Sequence, residues 1–203
     1  MEDRLAKIIS VVVHPLLIPT YAMLLLVNIK SHFTLVLPQN FRYLTVLFVF
    51  LTSFVLPVLI LTILLKLGKV KSIQMETRQE RILPLFIVAL FFYMTYYLLK
   101  QGPHFVIFNI FMLGATLLVI CSLLINYITK ISIHMVALGG LFGAFLGFDL
   151  ALRLDMRLLL TCIIFAAGMA GFARLRLQAH TPGQVYGGFL FGSAFMVSIF
   201  LVL

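Results

Sequence analysis

Charged residues make up only 10% of this 203-residue sequence, against about a quarter in soluble domains. Acids are scarcer still, six Asp and Glu against 15 Lys and Arg. The first shortage excludes a soluble globular domain: 63% of the residues are hydrophobic and mean hydropathy is +1.18. The chain reads as an integral membrane protein. Strict alternation of apolar and polar residues is also missing, which excludes a β-barrel, whose strands keep one lipid face and one wet face. No small-residue cleavage site follows the first apolar run, and MEDRLAKIIS mixes acids with bases. That run is therefore expected to be a retained span, not a signal peptide. Cysteine is limited to Cys121 and Cys162, both inside apolar runs, where a thiol packs as a small hydrophobe. Neither bears on redox compartment. No run of residues is left over for an appended soluble domain, and no nucleic-acid partner is expected.

What is present is a series of charge-free runs long enough to cross a hydrocarbon core about 30 Å thick. They fall at about 8–29, 43–65, 82–99, 105–129, 135–151, 158–173 and 185–203. The third and sixth are short, so the count is seven with six as the alternative. The expected fold is all-α, a polytopic transmembrane helix bundle forming a single membrane domain over 1–203. Gly102 and Pro103 break the chain after the third run, and Pro182 and Gly183 break it before the seventh. Gly139, Gly143 and Gly147 recur every four residues, Ala166, Ala167, Gly168, Ala170 and Gly171 crowd the sixth run, and Gly188 and Gly192 repeat the spacing in the seventh. Such stripes let helix backbones approach closely in lipid. The last three spans are thus expected to be the tightly packed ones, with the Leu- and Phe-rich first spans facing lipid more.

Alternation of the spans puts the N-terminus and the segments 66–81, 130–134 and 174–184 on one side. Most of the cations lie there, but those that bind a ligand are retained for function and do not report orientation, so charge alone leaves the sidedness open. Three polar clusters share this side. KVKSIQMETRQERILP, residues 69–84, holds four cations with Glu76 and Glu80, and part of it suits a surface ion-pair ladder. NYITKISIHM places Lys130, Ser132 and His134 just before the fifth span. ARLRLQAHTPGQVYGG carries Arg174, Arg176 and His180, with Arg176 expected to point away toward lipid headgroups. Cations at membrane depth cost several kcal/mol unless they are paired or face a polar cavity. Asp149 and Asp155 belong to the other side, leaving Glu76, Glu80, Glu2 and Asp3 as possible partners. Cations in excess of carboxylates call for an anionic ligand, and phosphate fits because Arg grips its oxygens bidentately. Histidines beside it supply a nucleophile or a proton donor near neutral pH.

The order and spacing of these groups resemble the type 2 phosphatidic acid phosphatase superfamily of membrane lipid phosphatases, whose motifs read K-x6-R-P, P-S-G-H and S-R-x5-H-x3-D. Lys71 and Arg78 have the first spacing, Ser132 and His134 stand in the second motif, and Arg174 and His180 have the third. The resemblance covers about 66–203. It implies a metal-independent phosphatase acting on a lipid phosphate or pyrophosphate, with membrane lipids as its surroundings and no cofactor. His180 would attack phosphorus, His134 would protonate the leaving alcohol, and Lys71, Arg78, Ser132 and Arg174 would bind phosphoryl oxygens. In a bacterial cell such a protein would lie in the cytoplasmic (inner) membrane. Gln79, Ile131, Ile133 and Ala173 replace the family's flanking residues, and Gln184 stands where the family has Asp. An amide oxygen can orient His180 but lacks the carboxylate's charge. Three functions therefore stand open: a lipid phosphatase, a lipid-phosphate binder, carrier or assembly partner of the same fold, and a small transporter whose first span is broken at His14, Pro15 and Pro19.

Overall fold

The structure, a computed structural model, describes residues 2–29, 38–70, 77–102 and 106–202. Among these there are helices and turns and no strand. In chain order the helices are α1 (Glu2–Val12), a 3-10 turn (Pro15–Leu17), α2 (Ile18–Asn28), α3 (Gln39–Phe50), a π turn (Leu51–Val55), α4 (Leu56–Lys66), α5 (Arg78–Gln101), α6 (Val106–Ile128), α7 (Ile133–Leu152), α8 (Arg157–Arg176) and α9 (Pro182–Val202). They make seven segments long and apolar enough to cross a membrane, Glu2–Asn28 and Gln39–Lys66 each counting as one interrupted span. This is the all-α architecture of a multi-pass membrane protein.

Counting charge-free residues undersizes two spans for a simple reason. Arg78 and Arg81 lie within the first turns of α5, and Arg174 and Arg176 within the last turn of α8, so those helices reach 24 and 20 residues. A cation at a helix C-terminus complements the macrodipole and does not end the helix. The interruption of the second span has an equally local cause. Pro57 has no N–H to give back to the preceding turn and its ring crowds that carbonyl. The helix widens into the π turn just before it, where the Leu56 N–H reaches back to the Leu51 carbonyl.

The chain divides into two compact units, one of Met1–Ile18 with Cys121–Leu203 and one of Pro19–Ile120. In the second unit the π turn packs with α3, α4 and α5. Helix α4 ends in a Schellman motif: Gly68 takes φ +69°, and the Lys69 N–H returns 2.9 Å to the Leu64 carbonyl. Helix α5 begins at an N-cap, Thr77, whose Oγ1 accepts the Glu80 N–H at 3.4 Å.

In the first unit α7 and α9 form the closest helix pair, and glycines are the reason. A Cβ on Gly139 would collide with the Phe189 carbonyl oxygen, one on Gly143 with that of Ser193, and one on Gly192 with that of Val136. Near the ends that carry the polar groups, a Cβ on Gly188 would stand 3.0 Å from the Ser132 carbonyl oxygen. Helix α8 packs on α7 and α1 with less intimacy. Of its small residues Gly171 lies against Val185, whereas Gly168 is exposed and has nothing within 4 Å of where a Cβ would be. Close approach thus joins two of the last three spans, and the stripe on α8 is only partly used. At the unit's edge Arg176 makes ion pairs with Glu2 and Asp3, both at 3.1 Å. It anchors the start of α1, where a headgroup-facing residue was expected.

Candidate functional site

Two capping devices in series deliver Arg174 and His180. Helix α8 closes in a Schellman motif whose first carbonyl is that of Arg174: the Ala179 N–H reaches it at 3.1 Å, and the Gln178 N–H reaches the Leu175 carbonyl at 3.0 Å. Gln178 occupies the left-handed position of this motif at φ +50°, where glycine carries no steric cost. The R-x5-H spacing is therefore the length of one helix-ending turn plus one residue. Replacing Gln178 by Gly should stabilise the fold by about 0.5–1 kcal/mol, read as a small rise in unfolding temperature in detergent; a fall would contradict this account of the turn.

His180 is followed at once by a capping box. Thr181 is the N-cap of α9 and Pro182 its first residue. The Thr181 Oγ1 accepts the Gln184 N–H at 3.4 Å, and the Gln184 Oε1 accepts the Thr181 N–H at 3.3 Å. The same Oε1 lies 2.9 Å from Nδ1 of His180. A backbone N–H can only donate, so the amide atom facing both groups is the oxygen, and Nδ1 of His180 carries the proton. In the neutral ring the lone pair is then on Nε2. Gln184 thus orients the imidazole as a carboxylate would, without its charge.

His180 is buried, and the start of α9 is tied to α7 through the Ser132 N–H, 3.4 Å from the Gln184 carbonyl. Ser132 is the N-cap of α7, yet its hydroxyl makes no capping bond; the residue is fully buried and its Oγ has no hydrogen-bond partner. Arg174 Nε is likewise buried and unpartnered. Among the described residues no carboxylate pairs with Arg174. Leaving such groups unsatisfied costs about 1–3 kcal/mol each. The charges at the opposite end of α8 are handled differently: Asp155 pairs with Arg157 at 2.8 Å, which holds its carboxyl down to about 2.

His134, two residues into α7, points its Nε2 at the Ser10 carbonyl of α1, 3.1 Å away. A carbonyl only accepts, so Nε2 carries the proton and Nδ1 the lone pair. His14 stands edge-on to His134, ring centroids 5.7 Å apart at 79°. Arg174 lies near enough for its charge to act on both rings. One cluster in the first unit thus gathers Ser132, His134, Arg174, His180 and Gln184 from the expected set. No protein-family model, curated protein or solved structure matches the chain. Of the remaining expected residues, Lys71 lies outside the described residues, as does Glu76, and Arg78 is exposed at the start of α5 in the second unit.

Two members were not anticipated as site residues: His14, read only as part of a break in the first span, and Ser10, whose Oγ is also buried without a partner. The available signal was an ionisable residue beside Pro15 within an apolar run, which in a membrane span marks a site by default.

Proposed function

We propose that the protein is a membrane-embedded, metal-independent phosphatase that binds the phosphate or pyrophosphate group of a lipid and hydrolyses it through a phosphohistidine at His180. The observation that carries this reading is the coincidence of an oriented imidazole with a buried guanidinium Nε and a buried hydroxyl that have no hydrogen-bond partner among the described residues, a donor set that suits phosphoryl oxygens. The motif resemblance at Ser132, His134, Arg174 and His180 supports it. A bacterial chain of this kind would work in the cytoplasmic (inner) membrane.

The chemistry follows from the proton positions. Arg174 and Ser132 hold the phosphoryl oxygens. A monoanionic phosphate ester brings one proton, which Nδ1 of His134 takes up. The Nε2 lone pair of His180 forms the bond to phosphorus as the P–O bond to the lipid breaks. The departing alkoxide takes the proton from Nδ1 of His134. Water then attacks phosphorus, giving its proton to the same Nδ1, and the P–N bond breaks with its electron pair returning to Nε2. Inorganic phosphate takes the proton back from Nδ1 of His134 and leaves as the monoanion, and both rings regain their starting states.

The test is phosphate release by purified protein from phosphatidic acid and from isoprenyl phosphate and pyrophosphate, beside Gln184→Glu. Glutamate keeps the T-x-x-E/Q capping box and the reach of Gln184, where aspartate would be one methylene short. It places a full charge on the Nδ1–H of His180 and should raise turnover by about ten- to a hundredfold. The neutral amide favours one second reading, a protein that binds the same headgroup and lets His180 only hydrogen-bond it. That reading gains if wild type and Gln184→Glu are both inert while labelled lipid phosphate still binds.

A further inference from the structure

A hydroxyl inside a helix commonly satisfies itself by donating to the carbonyl four residues back. Thr45, Thr95, Thr116, Ser193 and Ser198 all do so here, at 2.7–2.9 Å. Ser10, in the last turn of α1, does not: its Oγ is buried and has no hydrogen-bond partner among the described residues. Thr20 shares this condition but belongs to the second unit, whereas Ser10 belongs to the unit that holds the polar cluster.

The main chain of Ser10 is already part of that cluster. Its carbonyl accepts the Nε2–H of His134 at 3.1 Å, and α1 packs on α8, whose last turn carries Arg174. Two further donors of the cluster are in the same condition as the Ser10 hydroxyl: Oγ of the fully buried Ser132, two residues before His134, and Nε of Arg174. The three come from α1, from the N-cap of α7 and from α8. Buried donors without an acceptor cost about 1–3 kcal/mol each unless a ligand joins them. A phosphoryl group presents several oxygens in different directions and can accept from all three, with the guanidinium supplying charge. We propose that Ser10 is a binding residue of this site, donating its Oγ–H to a phosphoryl oxygen of the ligand, so that the first span supplies a wall of the phosphate site. This rests on the phosphate reading above. It divides the residue's work, the carbonyl positioning His134 and the hydroxyl binding phosphate.

The experiment uses the full chain in lipid nanodiscs, with radiolabelled phosphatidic acid and inorganic phosphate as separate probes and the unfolding temperature of the ligand-free protein read beside each. Ser10→Ala deletes the hydroxyl and leaves the carbonyl to His134 in place; Ser10→Thr keeps both. Ser10→Ala should weaken both probes about tenfold. Its unfolding temperature should not fall, because the change removes a buried donor that has no acceptor. Ser10→Thr should bind both probes within about threefold of wild type. Wild-type affinity in Ser10→Ala would overturn the role of Ser10 and leave the phosphate reading standing. Losses of equal size in both variants would separate binding from the hydroxyl and overturn it too. So would a weakened Ser10→Ala with a lowered unfolding temperature, since the hydroxyl would then be holding the fold. A loss confined to phosphatidic acid would place the contact on the lipid and not on phosphate, again overturning it. Wild type that binds neither probe overturns both this inference and the reading beneath it.

Discussion

Replacing His180 by alanine is expected to lower phosphate release by about 10⁴-fold or more while lipid-phosphate binding falls only a fewfold. The asymmetry follows from what the residue does. Its Nε2 forms the bond to phosphorus, and no neighbouring group replaces it: the Nδ1 lone pair of His134 carries the leaving-group proton while its Nε2 is committed to the Ser10 carbonyl, and Nδ1 of His14 is committed to the Leu16 N–H. Phosphoryl binding rests instead on Arg174 and Ser132, which the substitution leaves untouched. The capping box survives as well, because Thr181 and Gln184 still bond each other's backbone. Phosphate release and equilibrium binding measured on the same preparation check both halves. If binding and release fall together, His180 is a ligand only.

The second large effect lies in the helix pair that carries the site. Gly143→Ala puts a methyl group onto the Ser193 carbonyl oxygen, and Gly192→Ala puts one onto that of Val136. These contacts are with backbone and no side-chain rotation relieves them, so α7 and α9 must separate. The expected cost is about 3 kcal/mol for each, read as a large fall in unfolding temperature. Gly168→Ala in α8, where nothing stands within 4 Å of the new methyl, should be close to neutral. A uniform response at all three glycines would contradict the packing account. Activity should fall with stability at Gly188, whose missing Cβ lets α9 approach the Ser132 carbonyl and so sets His180 beside Ser132.

Hydropathy made the helical class legible, and small-residue spacing marked the faces of α7 and α9, since both depend on patterns confined to one helix, but the same spacing also put α8 in the tight centre, where Gly168 has no neighbour. Span ends were less so, because runs cut at Arg81 and Arg174 stop before the helices do. The third polar stretch was legible as a spacing, but its cause is geometric: the Schellman turn sets the interval from Arg174 to His180, and the Thr181–Gln184 capping box presents His180 to its orienting amide. The T-P-x-Q pattern could have disclosed the second device. His14 and Ser10 were not legible as site residues, because their roles depend on α1 packing beside α7, a contact between segments more than a hundred residues apart that no local pattern encodes. The sequence likewise suggests Arg176 as a headgroup contact, whereas the start of α1 provides Glu2 and Asp3 to pair with it.

The central claim, that the cluster transfers a phosphoryl group to His180, is tested most directly by acid or denaturant quench of the protein turning over phosphatidic acid labelled in its phosphate. The account predicts label bound to protein through a linkage that is stable in base and labile in acid, mapped to His180 and absent from His180→Ala. Phosphate release with no protein-bound label in either Gln184 or Gln184→Glu protein, or label mapped to another residue, would contradict it.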